Sequence, residues 1–552
     1  MDSILQIIEY VVLFAYIVLA SMGWGALCCE RMKLPARFLF MLGFGVLAFL
    51  AYLASFVFLL NAVVGRIACG LVGLASLGVT ARQWTHPGAK ASMLQVDVWL
   101  PILLLFFYTA SCLLVLLLHG GDPSHAVSHQ LPPDNILPRM LADRLWNGAS
   151  VNPFYEDWLS SDRPPLQAAL YLLCRPFEFL KFKTEDIYPI TSILFQTTWL
   201  PALYLLARGL HFSRFAMGFM LVWFAGSGFF LVHSIYTWPK LLSASLFLGG
   251  LSILLFCAKN LPKKYPAALL GLSLLWALSL LSHGGILFSF LAVPLLPSAW
   301  RLAAAQPRAI LGALAVFILM SLPWAAYQKF YDPPGNRLIK WHLGGAIPID
   351  SRSSGETLRD SYGTLTFHQW LQNRRGNLQV SLFLDRPQAD TFQSVAGLQY
   401  YLTSEGFFRI TAVLGLLNIG FVVLVASCLM KKHRGPPDGS ACGELLLMNI
   451  GCYLIWIVLM FRPDSAIVHQ GSYAMIILFM MIAALGITKL PPWISLSLLA
   501  CQWTFFTFAY LYYFPVPVIM DATGFINQGL YWILTLLFSL SVWAFLPRTS
   551  ND

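Results

Sequence analysis

Chemistry in this chain must come from few side chains, because 58% of its 552 residues are hydrophobic and only 11% are charged. The candidates stand out for that reason. Asp134, Asp157 and Asp162 lie in one polar stretch, and Arg163 follows the last of them directly, ahead of two prolines. Farther along, Lys240 sits in YTWPKLL, His283 in LSHGG, and Arg462 and His469 in FRPDSAIVHQGS. A carboxylate beside a reacting hydroxyl can take its proton as a general base. Cations opposite it can neutralise charge growing on a departing phosphate, and arginine does so with two parallel hydrogen bonds. By residue type, Asp134, Asp162 and Asp157 are the candidate catalytic acids. Arg163, Lys240, Arg462, His283 and His469 are the candidate phosphate ligands.

Each of these has a plainer use. Asp134 stands where an N-cap belongs, ahead of the helical pattern in DNILPRMLADRLWNG, and Gly148 stands where that helix should stop. Asp157 and Asp162 fit a solvated loop, Lys240 a side chain snorkelling beside Trp238, and Arg462 a pair with Asp464. His283 and His469, at the ends of apolar runs, fit satisfied imidazoles. His119, Asp122, His125 and His129 fall in a Gly/Ser/Pro-containing stretch without ligand spacing, so no metal site is assigned, although a divalent cation accompanying a phosphate stays open. The ten cysteines show neither a disulfide framework nor zinc spacing.

The elements that must position these residues are membrane helices. A mean hydropathy of +0.69 with long uncharged runs puts the chain in the polytopic membrane class. About 14 to 15 runs are long enough to cross a bilayer. They divide the chain into 1–118 (N-terminal spans), 119–186 (a first long outer segment with amphipathic surface helices), 187–328 (central spans), 329–405 (a second long outer segment) and 406–552 (C-terminal spans). The first run, Ile4 to Leu27, reads as a retained span, not a signal peptide. Leu166 to Leu180, broken by Arg175, Pro176 and Glu178, reads as a short interfacial or half-buried helix. With that choice the short loops on one side hold 17 Lys and Arg against 3 on the other, which places the first set in the cytoplasm. Every candidate above then faces the opposite side. The same distribution accounts for the net charge of +10 without a nucleic-acid partner.

The order of motifs carries a resemblance. An Asp-led surface helix ending in Gly (Asp134 to Gly148), then DWL (Asp157 to Leu159), then RPPLQAALYLL (Arg163 to Leu173), then YLLARGLHFSRFAMGFML (Tyr204 to Leu221) is similar to the GT-C glycosyltransferase superfamily. It is nearest the branch of protein O-mannosyltransferases and the lipid A aminoarabinose transferase, over about a hundred residues from Asp134 to His233. Asn135 stands where that branch has Glu, Arg163 where it has Lys, and three extra spans precede the one leading into the loop. The resemblance implies an all-α GT-C-like membrane enzyme that moves a sugar from a polyprenyl-phosphate or polyprenyl-diphosphate carrier to a glycan, lipid or protein acceptor. It implies an extracytoplasmic site, in the periplasm of a bacterial inner membrane, with Asp134 matching the catalytic Asp and Arg163 the Lys. With Asn135 in place of Glu, Asp134 acts alone or with Asp122, Asp157 or Asp162. The rival readings are an O-antigen polymerase or ligase, dependent on the 329–405 arginines Arg352, Arg359, Arg374 and Arg375, and a coupled transporter.

Overall fold

The computed structural model describes residues 2–127, 131–261, 265–389, 391–430, 439–463, 471–511 and 522–547. It is helical throughout, and among the described residues the only extended pairing is an isolated bridge between Tyr155 and Trp158. Among the described residues, eleven helices are long and apolar enough to cross a membrane. The other apolar runs expected as spans are also helical, but broken or short. Arg214–Ala225 and Gly228–Ile235 meet at 53°, Gly284–Leu295 and Pro297–Ala305 meet at 72°, and Pro266–Ser282 and Tyr473–Ile487 have 17 and 15 residues. The all-α polytopic membrane architecture therefore stands, with fewer straight spans than the hydropathy runs suggest.

Breaks at this depth need their backbone groups satisfied, since lipid supplies no hydrogen bonds. At the 53° bend, Gln502 Nε2 donates to the Gly226 carbonyl at 2.8 Å and Trp503 Nε1 to that of Val222 at 3.2 Å. Small residues bring other helices close. A Cβ on Gly43 would run into the Ser21 carbonyl, so Leu5–Met32 and Ala36–Val57 pack with their backbones almost touching.

Two features hold the first outer segment in place. Asn61 caps Ala62–Thr85 by accepting from Val63 and Val64 N–H at 2.8 and 3.2 Å, and in the first turn Arg66 donates to the Trp146 carbonyl at 2.6 and 3.0 Å. That bond straps the amphipathic helix Leu137–Asn147 to the end of a span. The helix ends at Gly148 with φ +65°, a left-handed position that suits glycine. The second feature is the stretch 166–180, a short helix Leu166–Cys174 whose nine residues are all buried, followed by a 3₁₀ turn Arg175–Leu180 that ends in the exposed Phe179 and Leu180. The charges that had suggested an interface are paired off: Arg175 bonds Asp143 and Glu178 and lies 5.1 Å from the Trp146 ring.

The second outer segment is four helices, Arg337–Gly344, Ser354–Gly363, Phe367–Leu382 and Val395–Phe408. Capping boxes start two of them, Ser353 with Glu356 and Thr366 with Gln369. Arg374 is buried and donates to the carbonyls of Val458 and Phe461, tying this segment to the end of a span.

Candidate active site

Asp134 lies in a tight 3₁₀ turn, Pro133–Ile136, whose prolines fix its approach. The residue flanking the following helix is Ile136, and no side chain caps it. The capping use of Asp134 is thereby overturned: its carboxylate forms an ion pair with Arg163, 29 residues on, and only 6% of Asp134 is exposed. The Tyr236 hydroxyl lies 3.5 Å from Asp134 Oδ1 and donates to the Pro132 carbonyl. Asn135 does positional work, its amide donating to the Tyr236 carbonyl at 3.0 Å while its own backbone carbonyl accepts from Tyr188 Oη at 3.2 Å.

Beneath this turn a buried amide chain ties the helices together. Gln167 donates to Tyr188 Oη and the Thr237 carbonyl at 3.1 and 2.8 Å, and Gln196 bridges Gln167 Oε1 and the Leu242 N–H, both at 3.0 Å. The chain ends at the first turn of Lys240–Lys259, where Thr237 is held at φ +56°. Lys240 is 3% exposed, and its Nζ lies 3.8 Å from the Trp238 ring centroid and 5.2 Å from that of Tyr473. No carboxylate or carbonyl among the described residues accepts a hydrogen bond from it, whereas Asp134 and Arg163 lie within electrostatic reach.

The second outer segment supplies the other wall. Arg337 is 4% exposed and bonds both Asp157 and the buried Asp162, with the Asp162 Oδ2 contact at 3.5 Å. Arg163 and Arg337 both lie over the Trp158 ring, at 4.9 and 4.7 Å. Asp162 Oδ2 also accepts the Leu159 N–H at 3.0 Å. Burial raises its carboxyl above the usual range, against the lowering effect of that N–H and of Arg337 and Arg163. Thus Asp157 and Asp162 meet Arg337, while Asp134 meets Arg163, with Lys240 in electrostatic reach of both.

One turn along, His342 has a buried Nδ1 with no hydrogen-bond partner among the described residues. Burial first, then the positive Arg163 and Lys240, push its imidazole down to about 3. Its carbonyl accepts the Phe461 N–H at 2.9 Å, which brings Arg462 alongside Gly345. His283 accepts the Gly285 N–H on Nδ1 at 3.0 Å, and its carbonyl lies 3.5 Å from the hydroxyl of Ser243, one turn from Lys240. His469 and Asp464 lie outside the described residues, and with them the pairing of Arg462 to Asp464. His119 and His125 bond to the Tyr510 and His119 carbonyls at 3.1 and 3.0 Å. No group of three or more His, Cys, Asp or Glu is arranged to hold a metal among the described residues.

Reading the residues in order misses His342, Arg337, Tyr236 and Tyr473. A signal for Arg337 exists: in RLIKWHLGG, Arg337 and Lys340 recur at helical spacing on the face that turns out buried, and cations seldom take that face without partners. Lys340 has one in Asp350, at 2.6 Å. Compared with known protein families, with curated proteins and with solved structures, the chain matches none.

Proposed function

We propose that this chain is an integral-membrane glycosyltransferase of GT-C type, moving a sugar from a polyprenyl-phosphate or polyprenyl-diphosphate carrier to a glycan, lipid or protein acceptor. Its site would face the periplasm from a bacterial inner membrane. The observation that carries the reading is the cluster of one carboxylate, Asp134, against two cations, Arg163 and Lys240, with the lysine buried between aromatic rings and lacking an acceptor among the described residues. Burying an ammonium costs several kcal/mol, and aromatic faces return only about 2 kcal/mol. A bound anion offsets the remainder. The aromatic rings that flank the cations, Trp158, Trp238 and Tyr473, are also suited to a sugar face and an isoprenoid stem.

The chemistry balances with the residues present. The acceptor hydroxyl oxygen attacks the anomeric carbon, forming the new glycosidic bond, and its proton passes to the Asp134 carboxylate. The bond from the anomeric carbon to the carrier phosphate breaks, its electron pair leaving on the phosphate oxygen. Arg163 and Lys240 stabilise that charge. Attack from the face opposite the leaving group inverts the anomeric configuration.

The test uses the purified full chain with lipid-linked sugar donors. Asp134→Asn and Asp134→Ala are expected to lower transfer by about 10²- to 10⁴-fold, the usual worth of a positioned general base. Full transfer by both variants would remove the assigned base. In the polymerase or ligase reading, Arg374→Ala and Arg375→Ala abolish polymer formation and the Asp134 variants do not. The burial of Arg374 against two backbone carbonyls favours a strut over a chemical role for it.

A further inference from the structure

The other end of the Lys240–Lys259 helix, about 30 Å away by its length, carries a second concentration of positive charge that the transfer reaction does not use. Arg37, His211, Lys259 and Asn260 line a cavity of about 250 Å³ between the 3₁₀ turn Ala36–Phe38 and the ends of Trp199–Gly209 and Lys240–Lys259. Lys259 Nζ lies 2.6 Å from His211 Nε2, so two basic groups face each other at hydrogen-bond distance. His211 reaches that position with φ +56°, a conformation unfavourable to a residue with a β-carbon. The Arg37 guanidinium is held 5.7 and 6.0 Å from the rings of Phe38 and Phe256, and its buried Nε has no acceptor among the described residues. Asp97, the nearest acid in electrostatic reach of Arg37, is already engaged by Tyr204 Oη at 2.6 Å and by Arg208 at 3.3 Å.

We propose that this cavity is a phosphate-binding site on the cytoplasmic face, taking the phosphoryl anion of a lipid headgroup or of a soluble phosphoester. A phosphoryl group offers oxygens enough for Arg37, Lys259 and the Asn260 amide at once. The loops that hold Arg37, His211 and Lys259 belong to the cation-rich set, and basic pockets between helices at that depth suit anionic headgroups.

Lys259 itself reports occupancy, because it is exposed and open to amine-reactive acylation. The full chain in neutral detergent is acylated with inorganic phosphate, with phosphatidylglycerol in mixed micelles, or with sodium chloride at matched ionic strength. Peptide mass spectrometry compares Lys259 with the exposed Lys90 as internal reference. At ligand well above its dissociation constant, Lys259 is expected to react about tenfold more slowly with Lys90 unchanged. Protection by inorganic phosphate identifies a soluble phosphoester site, and protection by phosphatidylglycerol alone a headgroup site. Gly209→Leu, at a cavity position where an added Cβ meets nothing within 4 Å, fills the space without removing a cation and is expected to abolish protection. Arg37→Gln is expected to do the same should the leucine variant fail to fold. Equal rates for Lys259 and Lys90 with either probe would overturn the site, as would protection that survives both substitutions.

Discussion

Asp134 and Arg163 are bound to each other, so each sets the other's geometry, and substitutions at the two must be read together. Arg163→Lys keeps the charge but loses the planar fork that meets both a carboxylate and a phosphate. It should therefore retain more transfer than Arg163→Gln, by about tenfold in kcat, while Lys240→Met should act chiefly on donor KM. Steady-state kinetics with a lipid-linked donor separates the two. His342 gives a prediction in pH. Burial holds the imidazole near 3 and the positive Arg163 and Lys240 add to it; a phosphate between those two cations offsets their part, so binding favours the protonated ring and affinity for a polyprenyl phosphodiester rises as pH falls toward that value. His342→Gln should flatten that profile, and a slope unchanged in the variant would assign it elsewhere. For the empty protein the sign is opposite: the unfolded imidazole binds its proton below about 6.5 and the folded one only below about 3, so stability falls as pH drops through that window. Asp134, Arg163 and Lys240 were legible in the chain because ionisable residues are scarce where lipid begins. His342 was not, because its burial and the charges it faces, Arg163 and Lys240, are set by the fold and not by its neighbours in sequence.

Arg337–Gly344 is the element that closes the site, and what holds it is Arg337 on two aspartates of the first segment. The buried half of that contact, Asp162, carries the energy, since the Asp157 side chain is 66% exposed and its pairing is screened. Arg337→Ala leaves Asp162 buried without its partner, a change worth about 3 to 5 kcal/mol where both groups are inaccessible. Asp157→Asn should cost less than about 1 kcal/mol. Denaturant titration of the outer segments, followed by proteolysis between 345 and 353, would rank the two; equal losses would mean that the exposed carboxylate is the true anchor. The acids at 157 and 162 had suggested reaction chemistry because nothing in a linear reading shows that an arginine 180 residues later will occupy them. In the same way, a linear reading of Arg175, Pro176 and Glu178 does not show that Asp143 neutralises Arg175 from another helix.

For the molecule as a whole, hydropathy marked the runs that form the spanning helices among the described residues but not which of them bend, because a bend depends on partners such as Gln502 that satisfy a freed carbonyl from far along the chain. Polarity across the bilayer rests on a different quantity, the 17 to 3 division of Lys and Arg among short loops, and it decides whether the Asp134 cluster meets acceptors outside the cytoplasm. It can be tested without reference to activity. Gln388 in the second outer segment and Ala91 in a cation-rich loop are both exposed. A cysteine at position 388 should react with a membrane-impermeant maleimide in intact spheroplasts, and one at 91 only after permeabilisation. The unsubstituted chain sets the background, since most of its described cysteines are buried. The reverse pattern would place the Asp134 cluster in the cytoplasm, where the carrier's sugar would have to be presented from the inner leaflet. Both positions reacting only after permeabilisation would mean an odd number of crossings fewer between them, and the bent pair at Gly284–Ala305, with its 72° angle, is the segment whose two ends would then lie on one side.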